Sequence, residues 1–231
     1  ADLMDFRTPQ PARGLSFAYV LPTTAHQALV EYTEFSGAPL AEREYERALH
    51  DYVRRHLGVE HFEVTRTEQG VIPMTDARFP RRAGRSVFRI GTAGGATRPS
   101  TGYTFAAVQR QTRAVAAACR QGRSPLPPPV HSARSLAMDA VLLRALDTGR
   151  VAGAPFFTGL FQGVPMERLL RFLDGGTRWS EDFTIGLRTP VRPMLRTAVE
   201  LPWLPRRAPF EGRRAAVPRP GSDGPNRETP R

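Results

Sequence analysis

The sequence predicts a mixed fold in the α/β class, of the α+β kind, and three observations lead there. Residues 15–35 hold two runs that alternate along the chain, separated by a short break. A glycine-rich turn at 91–95 follows a short β-branched and aromatic run. From residue 132 onward the apolar spacing is helical.

In chain order, Leu15, Phe17, Tyr19 and Leu21 alternate with Ser16, Ala18 and Val20, the period of a strand. Pro22-Thr23-Thr24 interrupts it, and a second strand runs from about Gln27 to Phe35. The short link predicts an antiparallel pair. On the second strand Leu29, Glu31, Thr33 and Phe35 share one face; Ala28, Val30, Tyr32 and Glu34 share the other. A helix over Leu40–Leu57 begins beside Pro39, ends at Gly58, and buries the stripe Tyr45, Leu49, Val53 and Leu57. Strands are expected over His61–Thr67 and, after a Gln69-Gly70 turn, over Val71-Ile72-Pro73 at a sheet edge.

Val87–Ile90 reads as a strand, with glycines at 91, 94 and 95 and a helix from Ser100 or Thr101 to about Arg120, closed by Gly122. Ser124-Pro125-Leu126-Pro127-Pro128-Pro129 is a stiff link. Ser132 caps a helix to about Leu146. Two or three helices follow between Phe156 and Val199, with Glu167–Leu173 amphipathic and Ser180 a cap for a short turn. The expected organisation is a sheet with the glycine segment over 1–122, a link over 123–131 and a helical region over 132–200. A disordered, basic, proline-rich tail is expected over 201–231.

The net charge is +11, and every basic residue is Arg. Without a Lys the chain has no P-loop clamp and no Schiff base. Excess positive charge suits nucleic acid or an anionic membrane. Zinc-finger spacing, RNP-like aromatics and a recognition helix are all missing, so a nucleic-acid partner is not expected. No apolar run approaches the ~18 residues of a membrane span. Cys119 is the sole cysteine, in an Ala-rich run where a small buried residue is expected. The five histidines form no H-E-x-x-H pair, and no metal site is expected.

Two features carry chemistry. Strand, glycine turn and helix N-terminus leave backbone N–H groups free, which suits an anionic or polar cofactor; the same pattern also builds a tight turn that binds nothing. Glu31 lies between Leu29 and Thr33 on a strand face. Buried there, it would be favoured in its protonated form and able to donate that proton. The alternative is a carboxylate on a solvated face.

The blocks Met4-Asp5-Phe6-Arg7, Tyr19-Val20-Leu21-Pro22, Leu29-Val30-Glu31-Tyr32-Thr33 and Glu68-Gln69-Gly70-Val71-Ile72-Pro73-Met74 occur in that order. Ile90-Gly91-Thr92-Ala93-Gly94-Gly95 follows, running to Ser100-Thr101-Gly102-Tyr103. Together with Pro155-Phe156-Phe157 and Arg171–Gly175, they resemble the lycopene cyclase family over about residues 3–200. The resemblance implies part of an FAD-dependent hydroxylase-like flavoprotein fold. It implies acid-catalysed closure of the ends of lycopene, or another acyclic carotene, into β-rings, with reduced FAD as cofactor, NADPH as reductant and no net redox change. Glu31 would be the acid–base group, with Glu34 the weaker candidate. Gly91, Thr92, Gly94, Gly95, Thr101 and Gly102 would contact the flavin. Glu68, Pro73 and Met74 would line the ring-closing end of the pocket. Phe156, Phe157 and Phe161 would line the polyene channel, or simply pack a core. The implied location is cytoplasmic, peripheral at a bacterial cytoplasmic membrane.

The chain departs from the family in one respect: no G-x-G-x-x-G pyrophosphate turn precedes Gly91. It reads as the C-terminal part of a cyclase. In related flavin hydroxylases an Asp follows the first glycine; here Thr92 stands there. A related flavin monooxygenase and a noncatalytic membrane-associating fragment are the alternatives.

Overall fold

The computed structural model describes residues 1–204. Among them, a three-stranded antiparallel sheet in the order β1-β2-β3 stands against seven α-helices. The strands are β1 (Asp2–Asp5), β2 (Leu15–Pro22) and β3 (Ala28–Phe35). The β2–β3 pairing runs from Leu15 opposite Phe35 to Pro22 opposite Ala28, and it puts Tyr19 opposite Glu31. The predicted hairpin and its two faces are therefore present.

β1 was not foreseen. It pairs with β2 through a bulge, with Asp2 opposite Val20 and Asp5 opposite Ala18. Within the bulge Met4 takes a left-handed backbone, φ 54°. Only four residues long, β1 gives too little alternation to be read from sequence.

The two faces of the sheet pack differently. Ala18 and Val20 meet Tyr52 of helix α1 (Glu42–His56). The Tyr52 hydroxyl donates to Asp5 Oδ2 at 2.6 Å, tying α1 to β1. Leu15 and Phe17 join the main core, built with Leu146 and residues of the C-terminal helices. This core lies on both sides of the proline link in sequence.

Five expectations along the middle of the chain fail. Residues 61–67, 71–73 and 87–90 form no strands. A strand needs a ladder partner, and among the described residues these segments have none beyond a single Arg82–Phe88 bridge. Val64, Val71, Ile72, Val87 and Ile90 consequently stand exposed. The glycines form a short 3-10 turn, Gly91–Gly94, and helix α2 begins only at Phe105 and runs to Arg120. Residues 95–104 between them form a loop whose stretch 96–100 is buried. Cys119 is exposed, because α2 turns Ala107 and Gln111 inward instead.

Beyond the link, α3 (Ala133–Asp147) is capped as predicted: the Ser135 N–H donates to Ser132 Oγ at 3.1 Å. Four further helices follow instead of two or three: α4 (Gly153–Gly163), α5 (Met166–Leu173), α6 (Trp179–Gly186) and α7 (Val191–Glu200). Ser180 does not cap α6; Arg178 is the N-cap residue, and its N–H donates to the Glu181 carboxylate at 3.0 Å. Residues 201–203, expected in the tail, form a 3-10 turn continuing from α7. The rest of the predicted tail, 205–231, lies outside the described residues.

Candidate functional site

An apolar pocket sits where the sheet, the 96–103 loop and the C-terminal helices meet. Phe17, Tyr19 and Phe35 supply the sheet wall, and Met4 enters from the β1 bulge. Thr101 and Tyr103 come from the loop, and Phe157, Leu160, Phe161, Leu169 and Leu173 from α4 and α5. The left-handed Met4 is explained here, since a bulge re-aims a side chain that a regular strand would send elsewhere. Phe17 meets Tyr19 and Phe35 edge to face, with ring centroids 5.2 and 5.5 Å apart. The cavity is only about 20 Å³, room for one water.

Glu31 is exposed, not buried. Of the two readings of the strand face, the solvated carboxylate holds, and Leu29 beside it is 56% exposed. The register still puts Glu31 beside Tyr19, on the face that lines the pocket. Its Oε1 accepts from the Thr33 hydroxyl at 2.8 Å. Burial raises the Tyr19 hydroxyl well above the usual tyrosine range, with Tyr103 and Glu31 adding to the shift. Tyr19, Tyr103 and Glu31 thus form a polar rim on an aromatic pocket. Glu34 lies on the opposite face, where the Tyr32 hydroxyl donates to it at 3.1 Å.

A buried ion pair fixes the inner side of the site. Arg98 and Asp139 are 1% and 2% exposed, with Arg98 Nε 3.2 Å from Asp139 Oδ1. The Ser100 hydroxyl donates to the same carboxylate at 2.6 Å. The Arg98 guanidinium also donates to the backbone carbonyls of Phe172 and Leu173 at the end of α5 and lies over the Phe172 ring. Burial pushes the Asp139 carboxyl up, against the opposing pull of Arg98 and Ser100. Burial also pushes the His131 imidazole down; its Nε2 lies 2.9 Å from the Ala96 carbonyl. One side chain thus joins the 96–103 loop to α3 and α5. Sequence reasoning missed it, because Arg98 is one of many arginines and Asp139 one acid on a helix. The cue lay in Asp139 itself, a carboxylate within the apolar run of α3.

The glycine loop does not open toward a ligand. The Gly91 N–H donates to Gln111 Oε1 at 3.0 Å, and the N–H groups of Gly94, Gly95 and Gly102 go to the carbonyls of Ile90, Thr92 and Arg98. A Cβ at Gly94 would lie 2.3 Å from the Arg89 carbonyl oxygen, so glycine is required there by the chain's own packing. The donors expected to face a flavin are used inside the loop, whose tightness needs them there. Because those donors are engaged, Gly91, Thr92, Gly94, Gly95, Thr101 and Gly102 do not fit as the holder of an FAD.

Of the expected pocket residues, Phe157 and Phe161 line the cavity. Phe156 is buried and stacks edge to face on Phe157 at 5.3 Å, a core role. Glu68 is exposed and away from the lining, and Pro73 and Met74 are half-buried. Ile72 beside them lies against Gly102. Among the described residues no group of acids, His or Cys could hold a metal, and no helix is long and apolar enough to cross a membrane.

The family model described as lycopene cyclase protein matches residues 1–199. The chain belongs to the lycopene cyclase family. No curated protein and no solved structure matches it. Within this lycopene cyclase chain, the matched region takes in the whole pocket, the ion pair and Glu31.

Proposed function

We propose that this chain provides the substrate pocket and acid–base group of a lycopene β-cyclase acting in carotenoid biosynthesis. The observation that carries the reading is the placement of Glu31 on the same sheet face as the aromatic pocket, directly opposite Tyr19 on the ladder. A carotene end seated against Phe17, Tyr19 and Phe161 covers the rim and excludes water. Loss of water favours the protonated carboxyl. Glu31 then gives its proton to the terminal double bond, and the neighbouring double bond closes a six-membered ring on the resulting cation. Loss of a proton to the carboxylate completes the β-end group and restores Glu31. Electrons balance without an oxidant. The ring faces lining the pocket suit the positive charge that develops.

Reduced FAD, with NADPH as reductant, belongs to this proposal as the family's associated cofactor. Residues 91–102 would border it, not grip it. A position at the cytoplasmic membrane belongs to the proposal too, because an acyclic carotene dissolves only in lipid. The satisfied glycine loop favours a second reading, a noncatalytic fragment.

Expression of the protein in a lycopene-producing host separates these readings. Carotenes with β-rings are expected. Unchanged lycopene would support the noncatalytic reading, and oxygenated products would support a monooxygenase.

A further inference from the structure

Three consecutive helices carry apolar side chains on two faces. Inward, Leu169 and Leu173 of α5, Ile185 of α6 and Met194 of α7 pack on one core. Outward, α5 shows Met166 and Leu170, α6 shows Trp179 and Phe183 with Leu187 at its end, and α7 shows Val191, Leu195 and Val199. Trp203 continues the α7 series. A spacing of four residues keeps each set on one side of its helix. These are not grazing exposures: Trp179 is 70% exposed, Phe183 63% and Trp203 79%. Single exposed apolar residues need no explanation, but a repeated outward series does.

We propose that the outward side of α6, α7 and the 201–203 turn, extended by α5, docks on an anionic lipid bilayer. The charge beside the series favours this occupant. Arg178, Arg188 and Arg192 are exposed, and their guanidinium groups form no ion pair with a carboxylate among the described residues. Residues 205–231 add seven arginines against three carboxylates. Arginine stems lie along apolar surface while the guanidinium reaches phosphate, and indole rings settle at the lipid headgroup level. A helix with this arrangement lies in the interface with its apolar side sunk at the acyl boundary. A second copy fits less well, because a two-fold contact sets the same arginines against one another. The chain's own residues 205–231 offer Phe210, Val217 and a few alanines, too little to cover the series. The inference rests on the proposed carotene substrate only for its purpose, which is to place the pocket beside the lipid that dissolves the substrate.

The test needs no carotene, so its outcome is independent of whether cyclisation is confirmed. The chain has two tryptophans, both on the proposed face. Trp179→Phe and Trp203→Phe each leave one reporter. With vesicles of phosphatidylcholine and phosphatidylglycerol, both single-tryptophan proteins are expected to shift their emission to the blue and resist acrylamide. Phosphatidylcholine alone should do this weakly. Phe183→Asp with Leu195→Asp should lower partitioning by ~10-fold or more, since one large apolar side chain is worth about a tenfold step. The melting temperature should hold, because both residues are exposed. Unshifted emission on anionic vesicles overturns the proposal. So does a double variant that loses a dimer but keeps its vesicle binding, which would assign the face to a second copy.

Discussion

The two sides of the pocket are built on opposite terms. On the inner side, Arg98 and Asp139 are almost wholly buried, and the pair is anchored on α5 carbonyls as well as on Ser100. On the outer side, Glu31 is exposed and held by one hydroxyl. A buried charge pair tolerates no change, because removing one partner strands the other. In the proposed reaction the inner side carries shape and the outer side chemistry, and substitutions should divide the same way.

The largest effect is expected from breaking the inner side. Asp139→Ala strands Arg98 in the interior and should cost ~3–5 kcal/mol, read from the urea midpoint. Next comes the aromatic wall. Phe157→Ala removes a buried ring and should cost ~3–5 kcal/mol at the upper end, less where Phe161 relaxes into the gap. A smaller loss, ~1 kcal/mol, is expected for Ser132→Ala, which removes the α3 cap and gives the scale of an ordinary structural hydrogen bond.

Acid sharpens the contrast. Hydrogen bonding from Arg7, together with the Tyr52 hydroxyl, holds the Asp5 carboxyl well below the usual carboxylate range. A depressed carboxyl stabilises the fold above its unfolded value of ~3.9, and this contribution fades as pH falls toward the folded value. The urea midpoint should therefore drop below about pH 4, and Asp5→Asn should flatten that drop. Tyr52 is pushed up to about 12 by burial first and by Asp5 second, so the contact persists through neutral pH.

Much of this contrast could be read from the sequence, and the unread part has a physical reason. Alternation over 15–35 gave the hairpin and its faces, and with them the side on which Glu31 stands. Periodicity reports local geometry, however, and burial depends on what packs over a strand. The residues alone leave Glu31 either a buried acid or a solvated one, and in the fold Leu29 and Glu31 are both exposed. Val87–Ile90 reads as a strand by composition and lacks the partner that makes one. Arg98 and Asp139 are 41 residues apart, and no local pattern joins them. The glycines at 91–95 were read correctly as a turn. Where their donors go depends on Gln111, a residue that only the folded chain brings near.

The cofactor reading has its own check. After gel filtration, the 231-residue chain should carry little flavin, because its loop donors are already engaged. Stoichiometric FAD absorbance would mean that the loop opens around the cofactor.

The central claim is that Glu31 supplies the proton from the outer rim while the inner side only holds the pocket in shape. Glu31→Gln, expressed in a lycopene-producing host, tests it most directly, with Glu34→Gln on the opposite face as the comparison. The account predicts an unchanged urea midpoint and lycopene accumulation for Glu31→Gln, and ring-bearing carotene for Glu34→Gln. Near-normal β-ring product from Glu31→Gln, or its loss only in Glu34→Gln, would contradict it.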